Sequence, residues 1–132
     1  MLKVEGLCVA YGAVRVVHEL ALEVSPGDLT LEKRRFSCFI QGSSKLEAEL
    51  EKRAIDTVLI TGTSTNICCE STARDAQMLN YRVVMVSDGT ATKSDAEHNA
   101  TLSNLFGLFA DVMTTNEVLA RLKPTARAQA TD

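Results

Sequence analysis

The sequence predicts an α/β layered fold built on a parallel sheet, and three observations predict it. From residue 57 onward, strand-like and helix-like stretches alternate, which implies right-handed crossovers onto parallel strands. Two of the strand candidates, residues 57–61 and 82–86, are continuous apolar runs of the kind buried on both faces of such a sheet. Finally, Ser44-x-x-Glu47, Ser94-x-x-Glu97 and Thr114-x-x-Glu117 each read as a capping box, in which a hydroxyl and a carboxylate satisfy the first backbone N–H groups of a helix. At 132 residues the chain suits one hydrophobic core rather than two.

Taken in order, residues 1–24 read as two short strands. Leu20, Leu22 and Val24 alternate with Glu19, Ala21 and Glu23, the period of a half-buried strand, and Tyr11-Gly12-Ala13 offers a turn before Val14, Val16 and Val17. Ser25-Pro26-Gly27-Asp28 is a strong break. Leu29-Thr30-Leu31 is a short strand candidate that ends at Glu32-Lys33-Arg34-Arg35, and the box at Ser44 opens a helix with Leu46, Leu50 and Ala54 on one face. The strand at 57–61 runs into Gly62-Thr63-Ser64-Thr65-Asn66 and then a helix from about Ile67 to Leu79. The strand at 82–86 ends in Ser87-Asp88-Gly89. The box at Ser94 opens a helix whose Leu102, Leu105, Phe106 and Phe109 fall on one face. Asp111-Val112-Met113 is a short strand, Thr114 caps a last helix that stops before Pro124, and the polar residues 124–132 are expected to be a disordered tail.

Composition narrows the function classes. The apolar fraction of 45% and the charged fraction of 23% are those of an ordinary globular protein. A net charge of -3 without runs of like charge favours neither nucleic acid nor an anionic membrane. No apolar stretch approaches the ~20 residues that span a bilayer, and residues 1–5 build no signal-peptide core, so the expected location is cytoplasmic. Of the four cysteines, Cys68 and Cys69 are adjacent while Cys8 and Cys38 are isolated, a spacing that suits reduced thiols better than a disulfide framework. His18 and His98 stand near no cysteine in sequence, so no metal site and no cofactor is expected.

In open α/β sheets, ligand groups collect at the C-terminal ends of strands, which directs attention to the turns after Thr61, Val86 and Met113. The first of these carries Cys68. A thiol where a buried strand becomes a helix gains from the partial positive charge of the helix N-terminus, which favours thiolate, and from backbone N–H groups able to hold a developing oxyanion. Cys69, one residue on, points about 100° away around a helix, so only one of the pair can face a cleft. A cysteine at such a turn is also a common structural thiol, and the residues alone leave both readings open. Lys33 is the second candidate, either an ordinary solvated lysine or, beside a thiol, a cation that favours its ionised form.

The run from Gly62 to Ala76, GTSTNICCESTARDA, resembles the nucleophile signature of the isochorismatase-like cysteine hydrolases, G-x-x-T-x-x-C-[VC]-x-x-T-x-x-D-[AG]. Lys33-Arg34-Arg35-Phe36-Ser37-Cys38-Phe39 resembles that family's upstream lysine motif. Residues 83–88, 97–102 and 111–113 extend the similarity, which covers roughly 28–122. The resemblance implies a three-layer, Rossmann-like parallel-sheet fold and a Cys-Lys-Asp triad. In it Cys68 attacks a carbonyl and forms an acyl-enzyme that water hydrolyses. Lys33 stabilises the charged sulfur, the backbone N–H groups of Ser64 and Cys68 form the oxyanion hole, and a cis peptide joins Thr63 to Ser64. It further implies hydrolysis of a C–N bond in a small amide, ureido or carbamoyl substrate, closest to the ureidoacrylate or carbamoyl-amide branch, and a homo-oligomer.

The family aspartate lies near the start of the domain, and residues 1–27 contain no aspartate. The nicotinamidase-type metal motif of that region is absent as well. Residues 1–27 instead resemble the opening strands of a branched-chain amino-acid ABC transporter ATPase, in which Tyr11 would stack on adenine. That resemblance ends before any phosphate-binding loop, and Gly89-Thr90-Ala91-Thr92-Lys93-Ser94 lacks both glycines at the positions that G-x-x-x-x-G-K-[ST] requires. The sequence is therefore read as a chimera: a foreign segment at 1–27, with an N-terminal hairpin, joined to an incomplete hydrolase domain at 28–123. Glu23, Glu32 and Asp88 are the local carboxylates that could replace the aspartate. The competing readings are an inactive remnant serving as a structural or interaction module, and an ABC-type nucleotide-binding fragment.

Overall fold

The computed structural model describes the backbone of residues 2–11, 14–24 and 28–122 and the side chains of residues 28–122. The turn at 12–13, the break at 25–27 and the tail at 124–132 lie outside the described residues, as do the side chains of Cys8, His18 and Glu23 and the side-chain alternation expected at 19–24.

Strands β1 (Leu2–Tyr11) and β2 (Val14–Val24) pair antiparallel, Leu2 opposite Val24 and Tyr11 opposite Val14, and form a two-stranded sheet of their own. A second sheet holds β3 (Thr57–Thr63), β4 (Arg82–Ala91) and β5 (Asp111–Met113) in the order β3-β4-β5, all parallel. The helices are α1 (Leu46–Lys52), α2 (Glu70–Met78), α3 (Asp95–Leu108) and α4 (Thr115–Leu122). The expected α/β parallel-sheet fold is the one observed.

The central strand shows how the layers arise. Val83 and Met85 point into a core with Ile60, Ala73, Ala76, Leu105 and Phe39, while Val84 and Val86 pack with Met113 and Val118 of α4. Successive side chains of a strand point to opposite faces, so an unbroken apolar run is what a strand covered on both sides requires. Residues 57–60 and 82–85 pair in simple register, and between Ile60 opposite Met85 and Gly62 opposite Thr90 the longer β4 segment bulges at Ser87-Asp88-Gly89. The turn expected after Val86 is thus a bulge inside a longer strand. Gly89 fits closely there: a Cβ would lie 3.0 Å from Val86 Cγ1 and 3.2 Å from Thr61 Cγ2, so those side chains would have to give by a few tenths of an ångström.

The helix starts agree with their sequence signals in two cases out of three. Thr114 and Glu117 form a full capping box: Glu117 Oε2 accepts from the Thr114 N–H at 2.7 Å, and the Glu117 N–H donates to Thr114 Oγ1 at 3.3 Å. Ser94 Oγ accepts from the Glu97 N–H at 3.3 Å, the first half of such a box. Ser44 does not cap α1. Its hydroxyl donates to the Cys38 carbonyl at 2.9 Å and accepts from the Leu46 N–H at 3.1 Å, and the helix begins one residue beyond Lys45. Ala54, expected on that helix, lies past its end at φ 53.

Two further expectations are corrected. Leu29-Thr30-Leu31 forms no strand; residues 28–45 carry no regular element, and Leu29 is exposed. An apolar triplet set between Asp28 and four charged residues buries little without a neighbouring strand to pair with. Of that expected apolar face, Leu102 and Leu105 of α3 and Phe109 just past its end reach the core, whereas Phe106, about 100° around the helix from Leu105, is 67% exposed.

Candidate active site

The end of β3 is shaped by backbone geometry. Gly62 sits at φ 114, a region that residues bearing a Cβ rarely adopt, and the Thr63–Ser64 peptide is cis. The chain then forms a π-helical turn, Thr65–Cys69, in which the Ser64 carbonyl accepts from both the Ile67 and the Cys69 N–H at 3.2 Å. The sequence predicts an α-helix through this stretch. The wider i→i+5 spacing of a π turn replaces its first turn, a feature frequent where side chains must be re-aimed at a site.

Three side-chain pairs hold this turn and the first residue of α2 against the segment that precedes α3 and against α3 itself. Thr65, wholly buried, places its Oγ1 2.9 Å from His98 Nδ1. Thr92 Oγ1 donates to Asn66 Oδ1 at 2.7 Å, and Thr101 Oγ1 donates to Glu70 Oε2 at 3.1 Å. Glu70 also pairs with Arg74 at 2.7 Å, and the Arg74 guanidinium lies 4.3 Å from the centre of the Phe109 ring. His98 is thus half-buried and bonded to the turn that carries Cys68, a role its position early in a helix did not announce.

The two adjacent cysteines diverge. Cys69 is 4% exposed, belongs to the hydrophobic core and points its thiol to the Thr61 carbonyl at 3.9 Å. Burial raises its pKa from 9.0 to about 11; the nearby Cys68 and Cys38 thiols add to that rise, and Lys33 opposes it. Cys68 is half-buried and lines a cleft of about 620 Å³. Lys33 lines the same cleft, so the two principal sequence-predicted site residues come together in space across 35 positions of chain. The Lys33 ammonium donates to the carbonyls of Arg35 at 2.5 Å and Phe36 at 3.2 Å. The loop that carries it is tied down by the Arg34 N–H to the Ser43 carbonyl, the Ser43 hydroxyl to the Ser37 carbonyl, and the Cys38 N–H to Thr72 Oγ1 on α2 at 3.2 Å.

The remaining walls are largely apolar: Phe39, Leu46, Leu50, Ile55 and the length of β3. Among the described residues β3 has a paired strand on the β4 side only, and the cleft runs along it. No carboxylate of the described residues lines this cleft. Glu32 pairs with Arg34 at 3.0 Å, and Asp88 accepts from the N–H and hydroxyl of Thr115 at 2.7 and 2.8 Å, so Asp88 serves the start of α4. Among the described residues no cluster of three or more His, Cys, Asp or Glu side chains suits a metal ion, and no helix is long and apolar enough to cross a membrane. Sequence reasoning gave no role to Asn66 or Thr92 and marked Thr65 and Thr72 only as fixed positions of the nucleophile signature, without their partners. Their signal is weak, since each is a common polar residue whose value lies in a partner 26 to 34 positions away.

Known proteins resemble this arrangement. The isochorismatase domain matches residues 13–117. An uncharacterized isochorismatase family protein of Bacillus subtilis is 40% identical over 100 residues, covering 76% of this chain and 52% of that protein. Nicotinamidase 3 of Arabidopsis thaliana is 38% identical over 68% of this chain and 44% of its own length. A ureidoacrylate amidohydrolase of Variovorax paradoxus is 36% identical over 81% and 43%. The crystal structure of an isochorismatase-like hydrolase from Alkaliphilus metalliredigens superimposes with a TM-score of 0.70 at 37% identity, over 76% of this chain and 54% of that one. This chain spans about half the length of the curated relatives it matches. A parallel sheet with helices on both faces, the matched domain and relatives on both sequence and structure lead to one conclusion: the chain belongs to the isochorismatase family of hydrolases.

Proposed function

We propose that this chain carries the thiol half of an amidohydrolase that cleaves a C–N bond of a small amide, ureido or carbamoyl substrate, with Cys68 as nucleophile. The observation that carries this reading is the divergence of the two thiols. Both thiols border the cleft that Lys33 shares, but Cys68 is half-buried, while Cys69 is 4% exposed and held in the core as a protonated thiol. The Cys68 thiolate attacks the substrate carbonyl, the C–N bond breaks as the amine leaves with a proton, and water then hydrolyses the thioester to regenerate the thiol. The Lys33 ammonium stabilises the charged sulfur, and the backbone N–H groups of Ser64 and Cys68 receive the oxyanion. The nicotinamidase and ureidoacrylate amidohydrolase relatives support a C–N substrate.

The proton carrier is the open part of the site, because no described carboxylate lines the cleft. Loss of a general base costs about 10²–10⁴-fold in rate. That same observation favours a second reading, in which the site acylates without turning over and the chain serves as a structural or interaction module. The test is intact-mass analysis after mixing with nicotinamide-, ureido- and carbamoyl-type substrates. A transient acyl mass on Cys68, absent in Cys68→Ala, together with released amine supports the enzyme. A stable adduct without release supports the second reading, and no adduct with any of the three classes overturns the nucleophile assignment.

A further inference from the structure

The cleft holds a thiol that acyl transfer does not use. Cys38 is half-buried, lies on the irregular segment 28–45 and lines the cleft together with Cys68 and Lys33. Its backbone N–H donates to Thr72 Oγ1 at 3.2 Å, which fastens it to the start of α2. Thr72 stands four positions beyond Cys68 and lines the same cleft, and residues at that spacing on one helical face have Cβ atoms about 5–6 Å apart. Cys38 is therefore anchored to a residue four positions from Cys68, on a segment outside any helix or strand. The influence of both thiols on Cys69 agrees with this clustering.

We propose that Cys38 is the resolving thiol of Cys68, so that hydroperoxides convert the site reversibly into a Cys38–Cys68 disulfide. The inference rests on Cys68 being the reactive thiol of the proposed function. In the first step the Cys68 thiolate attacks one peroxide oxygen and the O–O bond breaks. The sulfur is oxidised to a sulfenic acid, and the peroxide is reduced to an alcohol or water after taking up a proton. In the second step the Cys38 sulfur attacks the Cys68 sulfur, the S–O bond breaks, and hydroxide leaves as water with the Cys38 proton. The sum is two thiols and one hydroperoxide giving one disulfide, one alcohol or water, and one water. Lys33 favours the first step for the reason it favours acyl transfer, because it stabilises anionic sulfur. Formation of the disulfide removes the nucleophile, and a dithiol reductant restores it.

The test uses the full chain at low concentration. One portion is alkylated with iodoacetamide near neutral pH, and another is treated with about one equivalent of hydrogen peroxide, quenched, digested with trypsin without reduction and mapped by tandem mass spectrometry. The expected result is fast alkylation of Cys68 and, after peroxide, an intramolecular link between the Cys38 peptide and Cys68 that a dithiol reverses. Cys38→Ser should then accumulate sulfinic and sulfonic acid on Cys68 at the same peroxide dose. Fast alkylation of Cys68 combined with over-oxidation of the unaltered chain, or with a link to Cys69 or Cys8, overturns this inference and leaves the proposed function standing. Absence of both alkylation and oxidation at Cys68 overturns the two together.

Discussion

β3 and β4 are neighbours in one sheet and nearly alike in sequence character, yet they live in different surroundings. β4 is flanked by β3 and β5 and covered on both faces, and Val83 to Val86 are all buried, Met85 completely. Among the described residues β3 has a paired strand on one side, and its Leu59 is 46% exposed although it belongs to the same kind of apolar run. The difference teaches that hydrophobic runs report suitability for burial, while position in the sheet decides whether burial happens. It also locates chemistry. The strand with the less protected flank borders the cleft, and its C-terminal end carries the reactive turn.

The sharpest way to break this comparison is to truncate one residue on each strand. Met85→Ala should cost about 2–5 kcal/mol, the range for large-to-small changes in a packed core, and Leu59→Ala under about 1 kcal/mol, both read from urea denaturation midpoints. Equal losses would mean that β3 is as buried as β4 in solution. The glycines offer a second contrast. Gly62→Ala on β3 meets no neighbouring atom but must hold φ 114, a cost of about 1–3 kcal/mol in the same assay, and it should also slow Cys68 alkylation by displacing the turn. Gly89→Ala on β4 keeps an ordinary backbone and instead pushes Val86 and Thr61 apart, so it should lower stability while leaving the alkylation rate within about twofold.

A third experiment uses pH. Cys69 is raised to about 11 from 9.0, so below pH 9 both folded and unfolded chains hold its proton and the group contributes no pH dependence. Above pH 9 the unfolded chain releases that proton while the folded chain keeps it, and stability falls with rising pH until the folded thiol ionises as well. Relative to Cys69→Ala, the unaltered chain should lose roughly 1–2 kcal/mol between pH 9 and pH 11 in chemical denaturation. A flat difference curve would place Cys69 in water beside Cys68 and remove the distinction between the thiols.

The smallest expected effect lies at α4, on the covered face of β4. Hydrogen bonds from Thr114 and Thr115 hold the carboxyls of Glu117 and Asp88 below their ordinary values. Both groups have depressed folded pKa values, so their contribution is present above the ordinary carboxylate range and is lost as pH falls through the lowered values. Protection factors of the amides of residues 115–118, taken relative to intrinsic exchange at each pH, should fall on acidification before those of β4, and in Asp88→Asn at neutral pH by several-fold.

Much of this molecule was legible in its residues because the relevant physics is local. The apolar runs at 57–61 and 82–86 announced strands, the Thr114–Glu117 box announced α4 to the residue, and the motif from Gly62 to Ala76 announced the turn that bears Cys68. Ser44, a box of the same form, was claimed by the Cys38 carbonyl instead, because a hydroxyl bonds whichever acceptor tertiary packing brings near it. By itself the sequence determined a parallel α/β sheet and a thiol at the end of its first strand, since hydrophobic period and chain order suffice for both. Only the tertiary structure decided that Cys69 is buried while Cys68 stays half-exposed at the cleft, that Lys33 and Cys38 share it, and that His98 bonds the turn. Those outcomes depend on where distant segments meet and on a π turn that changes side-chain direction, and neither is encoded in the spacing of nearby residues.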